Sequence, residues 1–403
     1  MPRTIIHLDL DAFFCAVEEN LNPELRGVAF AVGGQPDARG VVASCSYPAR
    51  KYGIRSAMPM ARAVRLCPDL VIVPNRHGEY GRVSRQVMRY LHDLTPLVEQ
   101  ISIDEAFMDV TGYHHDGYTL AARLQQQINT DLGLPASLGV ASNKLVAKIA
   151  NTVGKAEASQ RTDGPPNAIK VVPAGKEADF LAPLDIRELW GVGPKTAERL
   201  HGMGIRTIGD IARRDAAHLR YHFGKHGIDL HRRAQGIDER PVTLEHEAKS
   251  ISKETTFARD ERDAEALRRI LRSLSDGVGL RLRREGLQGT TIKIKLRWAD
   301  FTTLTRQMTL PQPIDSDDAI YDAALALFER EWPKGRPVRL IGVGISGFDT
   351  PARQLGLWDA PHTEQNRRLQ DTLDTLKDRF GENSIRRGST VRRKSDTPED
   401  DTP

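Results

Sequence analysis

Cysteine is scarce in this chain, with three among 403 residues. Cys15, Cys45 and Cys67 are odd in number and lack CxxC spacing. That excludes a disulfide framework and a cysteine-based zinc site, and leaves reduced thiols, as in a cytosolic protein. Long apolar runs are missing as well. None approaches the roughly 18 residues that a membrane helix requires, so no membrane partner is expected. The opening Met-Pro-Arg-Thr-Ile-Ile-His lacks a signal-peptide pattern, because its short apolar run passes straight into charge. A large excess of one charge is also absent: 58 basic side chains face 54 acidic ones, a net of +4. The chain as a whole is no polycation, and any nucleic-acid surface must be local. No internal repeat is present.

What the chain does have is length and alternation. Its 403 residues predict about two to four domains. Residues 5–10 read as a buried strand and 12–19 as a helix ending before Asn20 and Pro23. Further strands are predicted at 28–32, 41–44, 70–73 and 137–141, helices at 61–66, 80–94, 120–129 and 144–153, and a hairpin over 98–110. This alternation favours an α/β or α+β core over a bundle. From about Pro173, short helices separated by Gly and Pro describe a small helical domain reaching Arg240. Residues 241–250 are charged and poor in apolar side chains, the best linker candidate. Residues 251–349 mix helices (263–284, 319–331) with strands (290–298, 338–345), a second α+β domain. Beyond it come a short apolar island, a helix-like stretch at 369–380 and a polar end expected to be disordered.

Two short acidic segments carry the chemistry. His7-Leu8-Asp9-Leu10-Asp11-Ala12-Phe13-Phe14 and Ser102-Ile103-Asp104-Glu105-Ala106-Phe107 each set carboxylates at the end of an apolar, strand-like run. Carboxylates are hard oxygen ligands that suit Mg²⁺ or Mn²⁺ rather than zinc, and phosphoryl transfer is the chemistry such a cluster serves. Asp104 and Glu105 are neighbours, and neighbouring side chains point to opposite faces of a regular strand. Both serve one site only if the backbone turns there. Residues 98–110 fit a tight hairpin with the acidic pair at its bend, and a first strand lying alongside adds Asp9. Two ions about 3.5–4 Å apart would then activate an attacking hydroxyl and neutralise a transferring phosphoryl group. On spacing alone a second reading stands level with this one: Asp9 and Asp11 cap the following helix, and the pair solvates a turn.

Four ordered motifs tip the balance. Residues 6–14, the segment Tyr47-Pro48-Ala49-Arg50-Lys51-Tyr52-Gly53 followed by Arg55-Ser56-Ala57-Met58-Pro59, residues 102–107, and Gly139-Val140-Ala141-Ser142-Asn143-Lys144 with Ala147-Lys148-Ile149-Ala150 lie in this order. Together they resemble the Y-family translesion DNA polymerases of the DinB branch, over roughly residues 3–350. The resemblance implies a multidomain α+β fold: a right-hand polymerase with a ferredoxin-like palm, small fingers, a helix-hairpin-helix thumb and an α+β little finger. Palm and fingers would occupy 1–172 (fingers about 22–77), the thumb 173–240, the linker 241–250, the little finger 251–349 and a tail 350–403. The implied activity is DNA-templated DNA synthesis in translesion synthesis and repair, the primer 3′-hydroxyl attacking the α-phosphorus of a dNTP. No stretch is left over for an exonuclease, so low fidelity without proofreading is expected. The implied partners are primer–template DNA and dNTP, for a monomer of the bacterial cytoplasm, nucleoid-associated when active.

In that family the positions matching Asp9 and Asp104 bind two Mg²⁺ ions, with Mn²⁺ as a substitute and the Leu10 carbonyl assisting. Glu105 matches the active-site acid and contacts the metal that meets the primer terminus. Phe14 matches the steric gate, an aromatic ring where a 2′-hydroxyl would sit; overlap in a packed site costs far more than an absent hydroxyl. Phe13 falls in the same nucleotide-binding segment. Adjacent helical residues differ by about 100° and cannot both face one core, so Phe13 is assigned to the core and Phe14 to the nucleotide. Tyr47 and Arg50, three apart on one helical face, match triphosphate contacts, where a guanidinium fork suits phosphate oxygens. Lys155 aligns with a further phosphate-binding lysine. Residues 156–167 are longer and more polar than the family's short turn, which leaves Lys170 as a competitor.

Residues 189–200 read as helix, Gly-rich hairpin and helix, with Pro194 in the first helical turn. They resemble a helix-hairpin-helix element, which lends backbone N–H groups to a DNA phosphate without reading sequence, here through Gly191, Gly193 and Lys195. Between Arg281 and Arg297, six basic residues face one acid, and Lys293, Lys295 and Arg297 alternate with Ile292, Ile294 and Leu296. A strand of that period presents one cationic face to a phosphate backbone, unless it is merely a solvated edge. Gln354-Leu355-Gly356-Leu357-Trp358 resembles the motif by which bacterial polymerases dock on the sliding β-clamp, with Leu357 and Trp358 as hydrophobic anchors and Gln354 as a polar one. A non-catalytic, polymerase-like, clamp-binding mutagenesis factor is the alternative function. Such relatives typically lose acidic ligands, whereas all three stand here. A different palm-type two-metal enzyme, such as a nucleotide cyclase, would leave the DNA-holding features unexplained.

Overall fold

The apolar run at the start forms strand β1 (Ile5–Leu10), whose two faces are both covered. It is the middle strand of five in a computed structural model that describes residues 2–244, 247–348, 360–381, 384, 385 and 388. The chain divides into two units, Met1–His246 and Glu247–Pro403, and the division falls within the charged stretch expected to be a linker.

In the first unit β1 is followed by α1 (Phe13–Leu21), β2 (Phe30–Gly33), β3 (Val42–Cys45), α2 (Tyr47–Lys51), α3 (Met60–Leu66), β4 (Val71–Val73) and α4 (His77–Leu94). Then come β5 (Val98–Gln100), β6 (Glu105–Asp109), α5 (Gly117–Leu132), β7 (Ala136–Ala141), α6 (Lys144–Ser159) and β8 (Ile169–Val171). The five-stranded sheet runs β5-β6-β1-β7-β8, and β3-β2-β4 form a small separate sheet. Even-numbered β1 residues Ile6, Leu8 and Leu10 join the core made with α4 and α5, while Ile5 joins the core under α6. Each large apolar side chain so buried stabilises by about 1.5–3 kcal/mol.

Helix α6 lies very close to the sheet. A Cβ at Gly139 of β7 would stand 1.9 Å from the Ala147 carbonyl oxygen, so only glycine fits there. Five short helices follow: α7 (Glu177–Leu181), α8 (Pro194–Gly202), α9 (Ile208–Arg213), α10 (Ala216–Phe223) and α11 (Lys225–Ala234). Their apolar residues, Leu189, Val192, Leu200 and Leu230 among them, share one core with Ile5, Phe107 and the buried face of α6. These short helices and this side of the five-stranded sheet are therefore packed as one body.

The second unit has β9 (Ser250–Glu261), α12 (Ala264–Arg284), β10 (Gly289–Trp298), β11 (Thr303–Ile314), α13 (Asp317–Glu331), β12 (Val338–Ser346) and α14 (Ala360–Phe380). Its sheet runs β11-β10-β12-β9, with α12 and α13 on one face. Strand β10 is interior, so the expectation of a possible solvated edge fails. Helix α14 begins nine residues before the predicted 369, and Arg283 holds it through a fork to Asp374 at 2.6 and 3.0 Å. Among the described residues, no helix is long and apolar enough to cross a membrane.

Candidate active site

Antiparallel pairing sets Asp9 directly opposite Glu105, the first residue of β6. Cross-strand partners share a sheet face, so these two carboxylates are neighbours. Between β5 and β6 the backbone turns at 101–104, closed by the Ile101 N–H donating to the Glu105 carbonyl at 2.9 Å. The Leu10 N–H donates to the Asp104 carbonyl at 3.0 Å, which ties that bend to the end of β1. Asp104 Oδ1 accepts from the Ser102 hydroxyl at 2.5 Å. The bend thus gathers Asp9, Leu10, Asp104 and Glu105 at one end of the sheet. The capping alternative fails: the residue before α1 is Ala12, in the left-handed region at φ 48°, and no side chain caps the helix.

Cations meet these acids from α6. Lys144, Lys148, Asn151 and Lys155 recur at helical spacing, and each reaches a polar group of the sheet. Lys144 Nζ lies 2.7 Å from Glu99 Oε2, Lys148 pairs with Glu105, Asn151 Nδ2 donates to His7 Nδ1 at 3.0 Å, and Lys155 Nζ is 2.5 Å from Asp9 Oδ1. His7 Nε2 donates to Glu105 Oε1 at 2.5 Å, which together with Asn151 fixes the tautomer. Burial, then the charge of Lys148, pushes the His7 imidazole down to about 3, so it stays neutral. Burial also lowers Lys148, against the pull of Asp9. For Lys155 burial acts in the same sense, but Asp9 and Asp11 outweigh it and hold the ammonium above its ordinary range.

Among the described residues no three His, Cys, Asp or Glu side chains stand around one ion position. The donor chemistry nevertheless fits a hard divalent ion: carboxylates from adjacent strands, with lysines supplying compensating charge. Asp11 has a different place. Its side chain is buried; Oδ2 accepts from Ser137 Oγ at 2.8 Å and from the Asn167 N–H at 3.0 Å, pinning the loop after α6. Of the two candidate phosphate lysines, Lys155 faces the carboxylates, whereas Lys170 pairs with Glu157 at 2.8 Å.

Phe13 is 2 % exposed and belongs to the core, so its ring cannot also meet a nucleotide. Phe14 is half-buried. Its ring stacks on Tyr80 with centroids 4.2 Å apart and planes 12° from parallel. Tyr80 is fully buried, and its hydroxyl donates to Glu18 Oε1 at 2.7 Å. Tyr47 and Arg50 lie on α2, capped by the Ser46 hydroxyl, with the Arg50 guanidinium 4.5 Å from the Tyr47 ring centre. Burial, then the charge of Asp11, pushes the Tyr47 phenol up.

Gly191 adopts φ 101°, which a side chain would strain, and a Cβ there would meet Arg233 Nη1 at 2.9 Å. Gly193 precedes α8, whose first turn holds Pro194 and the exposed Lys195. In the other unit Lys293, Lys295 and Arg297 lie on the sheet face away from α12 and α13, Lys295 pairing with Glu254 at 2.8 Å. The remaining basic residues of that segment are spent on acids: Arg281 on Glu285, Arg283 on Asp317 and Asp374, Arg284 on Asp378. Gln354, Leu355, Leu357 and Trp358 lie outside the described residues.

Sequence reasoning missed His7, Tyr80, Lys148 and Asn151. A signal existed for three of them. His7 shares the odd-numbered face of β1 with Asp9, and Lys148 and Asn151 lie seven and four residues before Lys155 on a helix otherwise apolar toward the sheet. Tyr80 carried none, because only the fold brings it beneath Phe14.

The model described as the impB/mucB/samB family matches residues 8–152, that of the family's C-terminal domain matches 248–357, and the IMS family HHH motif matches 175–205. The DNA polymerase IV of Dehalococcoides mccartyi (strain CBDB1) is 41% identical over 396 residues, covering 97% of this chain and 98% of the relative. Among solved structures, a Y-family DNA polymerase chimera of Dbh and Dpo4 aligns at TM-score 0.75 and 29% identity, over 86% of this chain and 100% of that one. An insertion ternary complex of Dbh DNA polymerase aligns at TM-score 0.60 and 29% identity, over 86% and 99%.

Proposed function

The chain belongs to the impB/mucB/samB family as a Y-family DNA-directed DNA polymerase of the DNA polymerase IV kind, and from that premise we propose a low-fidelity, template-directed polymerase that extends primers past damaged bases. The observation that carries this reading is the pairing of Asp9 with Glu105 across β1 and β6, with Asp104 tied to the end of β1. Asp9, Asp104 and Glu105, with the Leu10 carbonyl, are the residues that would hold two Mg²⁺ ions. The chemistry such ions supply when bound is activation of the primer 3′-hydroxyl and neutralisation of charge on the transferring phosphoryl group.

The remaining roles belong to the chain's own groups. Phe14, backed by Tyr80, excludes a 2′-hydroxyl by overlap and so selects dNTP. Tyr47 and Arg50 hold the triphosphate, and Lys155, once parted from Asp9, is placed to join them. Gly191, Gly193 and Lys195 bind the DNA backbone of a primer–template, as Lys293, Lys295 and Arg297 do from the other unit. Residues 354–358 dock a sliding β-clamp, and the enzyme works as a cytoplasmic monomer recruited to the nucleoid. Division of the chain into palm and fingers, thumb, little finger and tail belongs to the same proposal.

Primer extension tests it. Asp104→Ala and Glu105→Ala each abolish dNTP incorporation while DNA binding persists, and Phe14→Ala admits ribonucleotides. Full activity in either acidic variant would refute the site.

A further inference from the structure

Glu105 is linked through one lysine to the hairpin after Trp190. Its Oε1 accepts from His7 Nε2 at 2.5 Å and pairs with Lys148. The same Lys148 ammonium sits 5.4 Å from the centre of the Trp190 ring. Trp190 is half-buried and immediately precedes the Gly191-Val192-Gly193 turn of the thumb hairpin. Its ring also receives the Arg240 guanidinium at 4.8 Å and packs 5.8 Å from Phe107, two residues along β6 from Glu105. Its carbonyl accepts from Nη1 of Arg233 at 3.3 Å, the side chain that a Cβ at Gly191 would meet. Arg240 is locked in turn by a fork to Asp238 at 2.7 and 2.9 Å, and Asp238 accepts from the Leu145 N–H in the first turn of α6.

We infer that Lys148 and Trp190 are positioning residues that couple the DNA-holding hairpin to the carboxylate of Glu105. The inference rests on the proposed roles of Glu105 and of the hairpin. The lysine is shared between two partners, a carboxylate and an aromatic face. When a divalent cation takes over the charge of Glu105, like-charge repulsion loosens Lys148 from it, and the Trp190 face becomes its main remaining partner. A firmer Lys148–Trp190 contact steadies the turn that binds the DNA backbone. By linkage the effect is reciprocal: DNA on the hairpin favours cation binding at Glu105 by the same factor. Phe107 and the shared core keep the two elements in register, so a small shift at Lys148 is transmitted rather than absorbed.

The test uses the full chain and a fluorescein-labelled primer–template, with Kd measured by anisotropy in EDTA and in Mg²⁺ without dNTP at constant ionic strength. Mg²⁺ also competes for phosphates, but equally in every variant, so the quantity read is the ratio of the two Kd values relative to wild type. Lys148→Met and Trp190→Leu lose about two- to fivefold of the Mg²⁺-dependent tightening, the size one partly exposed cation–π contact supports. Lys148→Arg and Trp190→Phe, which keep the cation and a ring, retain most of it. Mn²⁺ binding followed by electron paramagnetic resonance, read as the ratio of affinities with and without DNA, falls by the same factor; the affinity without DNA rises in Lys148→Met, where no ammonium competes for Glu105, and that rise cancels in the ratio. If Trp190→Leu fails to fold, Lys148→Met and Lys148→Arg decide alone. Equal ratios in wild type and Lys148→Met overturn the coupling and leave Glu105 as a ligand intact. Absence of any Mn²⁺ site that Glu105→Gln weakens overturns the underlying site reading, and the coupling with it.

Discussion

Tyr80 separates the support of the proposed steric gate, Phe14, from the gate itself. Its ring lies parallel beneath Phe14 at 4.2 Å, and its hydroxyl donates at 2.7 Å to Glu18, which is 1 % exposed and has Arg76 at 3.7 Å as its other partner. Tyr80→Phe keeps the stacked plane and strands a buried carboxylate, so about 1–3 kcal/mol of stability is lost. At about 2–4 °C per kcal/mol for a body of this size, a calorimetric or fluorescence melt reads that loss clearly. Tyr80→Leu loses the same hydroxyl and also the plane. A stacked aromatic pair contributes about 0.5–1.5 kcal/mol beyond its buried area. If that energy holds Phe14 against a 2′-hydroxyl, discrimination falls about two- to twelvefold, at 1.36 kcal/mol per tenfold. The assay is single-nucleotide insertion, comparing kcat/KM for dNTP and for the matching ribonucleotide in wild type, Tyr80→Phe, Tyr80→Leu and Phe14→Ala. Phe14→Ala sets the full size of the gate. The order expected is wild type equal to Tyr80→Phe, then Tyr80→Leu, then Phe14→Ala. A folded Tyr80→Leu that discriminates like wild type, or a Tyr80→Phe that fails as badly as Tyr80→Leu, would show that the stack does not hold the gate.

Two further outcomes follow from other parts of the chain. Replacing Lys293, Lys295 and Arg297 together by Gln lowers the slope of log Kd for duplex DNA against log salt by about 2–3, since each lost phosphate contact removes about 0.9; an unchanged slope would place the DNA elsewhere. Thr207 and Asp210 form a reciprocal capping box at the start of α9. The backbone N–H groups of Thr207 and Arg206 hold the Asp210 carboxyl down to about 2, below its ordinary 3.8. Its folded-state pKa is depressed, so its stabilisation is complete above about pH 4 and is lost as pH falls through about 2. Asp210→Asn keeps an acceptor oxygen but loses the charge, so it melts lower than wild type at pH 7, and the gap narrows toward pH 2. A gap independent of pH would assign the cost to something other than the carboxylate.

Local chemistry explains which parts of this architecture could be read from sequence. β1 was legible because its apolar run ends in carboxylates, and the bend before Glu105 was legible because two adjacent acids cannot share a site on a straight strand. β9 and β11 escaped. Residues 250–261 are largely polar and carry their apolar side chains unevenly, with few of them buried. β11 contains Pro311 and Pro313, which argue against an interior strand; it is an edge strand, where proline is tolerated. β8 has three residues, none fully buried, too few to show a period. At the site, motif spacing pointed to the acids but not to their cations. The resemblance named Lys155 as a phosphate lysine, but its pairing with Asp9, like that of Lys148 with Glu105, shows only once α6 is laid across the sheet, and Tyr80 is 66 residues from Phe14 in the chain.

The cations also explain how the fold tolerates its own active site. Asp11 is buried, Glu105 is largely so and Asp9 is partly covered, and like charges gathered in such a setting are costly unless compensated. Lys155 lies 2.5 Å from Asp9 and 2.9 Å from Asp11, and Lys148 pairs with Glu105. α6 therefore supplies the compensating charge before any divalent ion arrives. Gly139 is what lets the helix come close enough to do so, since any larger residue would lift it off β7. On the proposed two-metal reading, loading the site is an exchange of cations over acids already in place, and the lysines released would be free to meet a triphosphate and the 190–193 hairpin. Preorganisation of that kind spares the site a rearrangement at the moment of reaction. The same packing that makes α6 part of the core is thus what makes its lysines available to the chemistry.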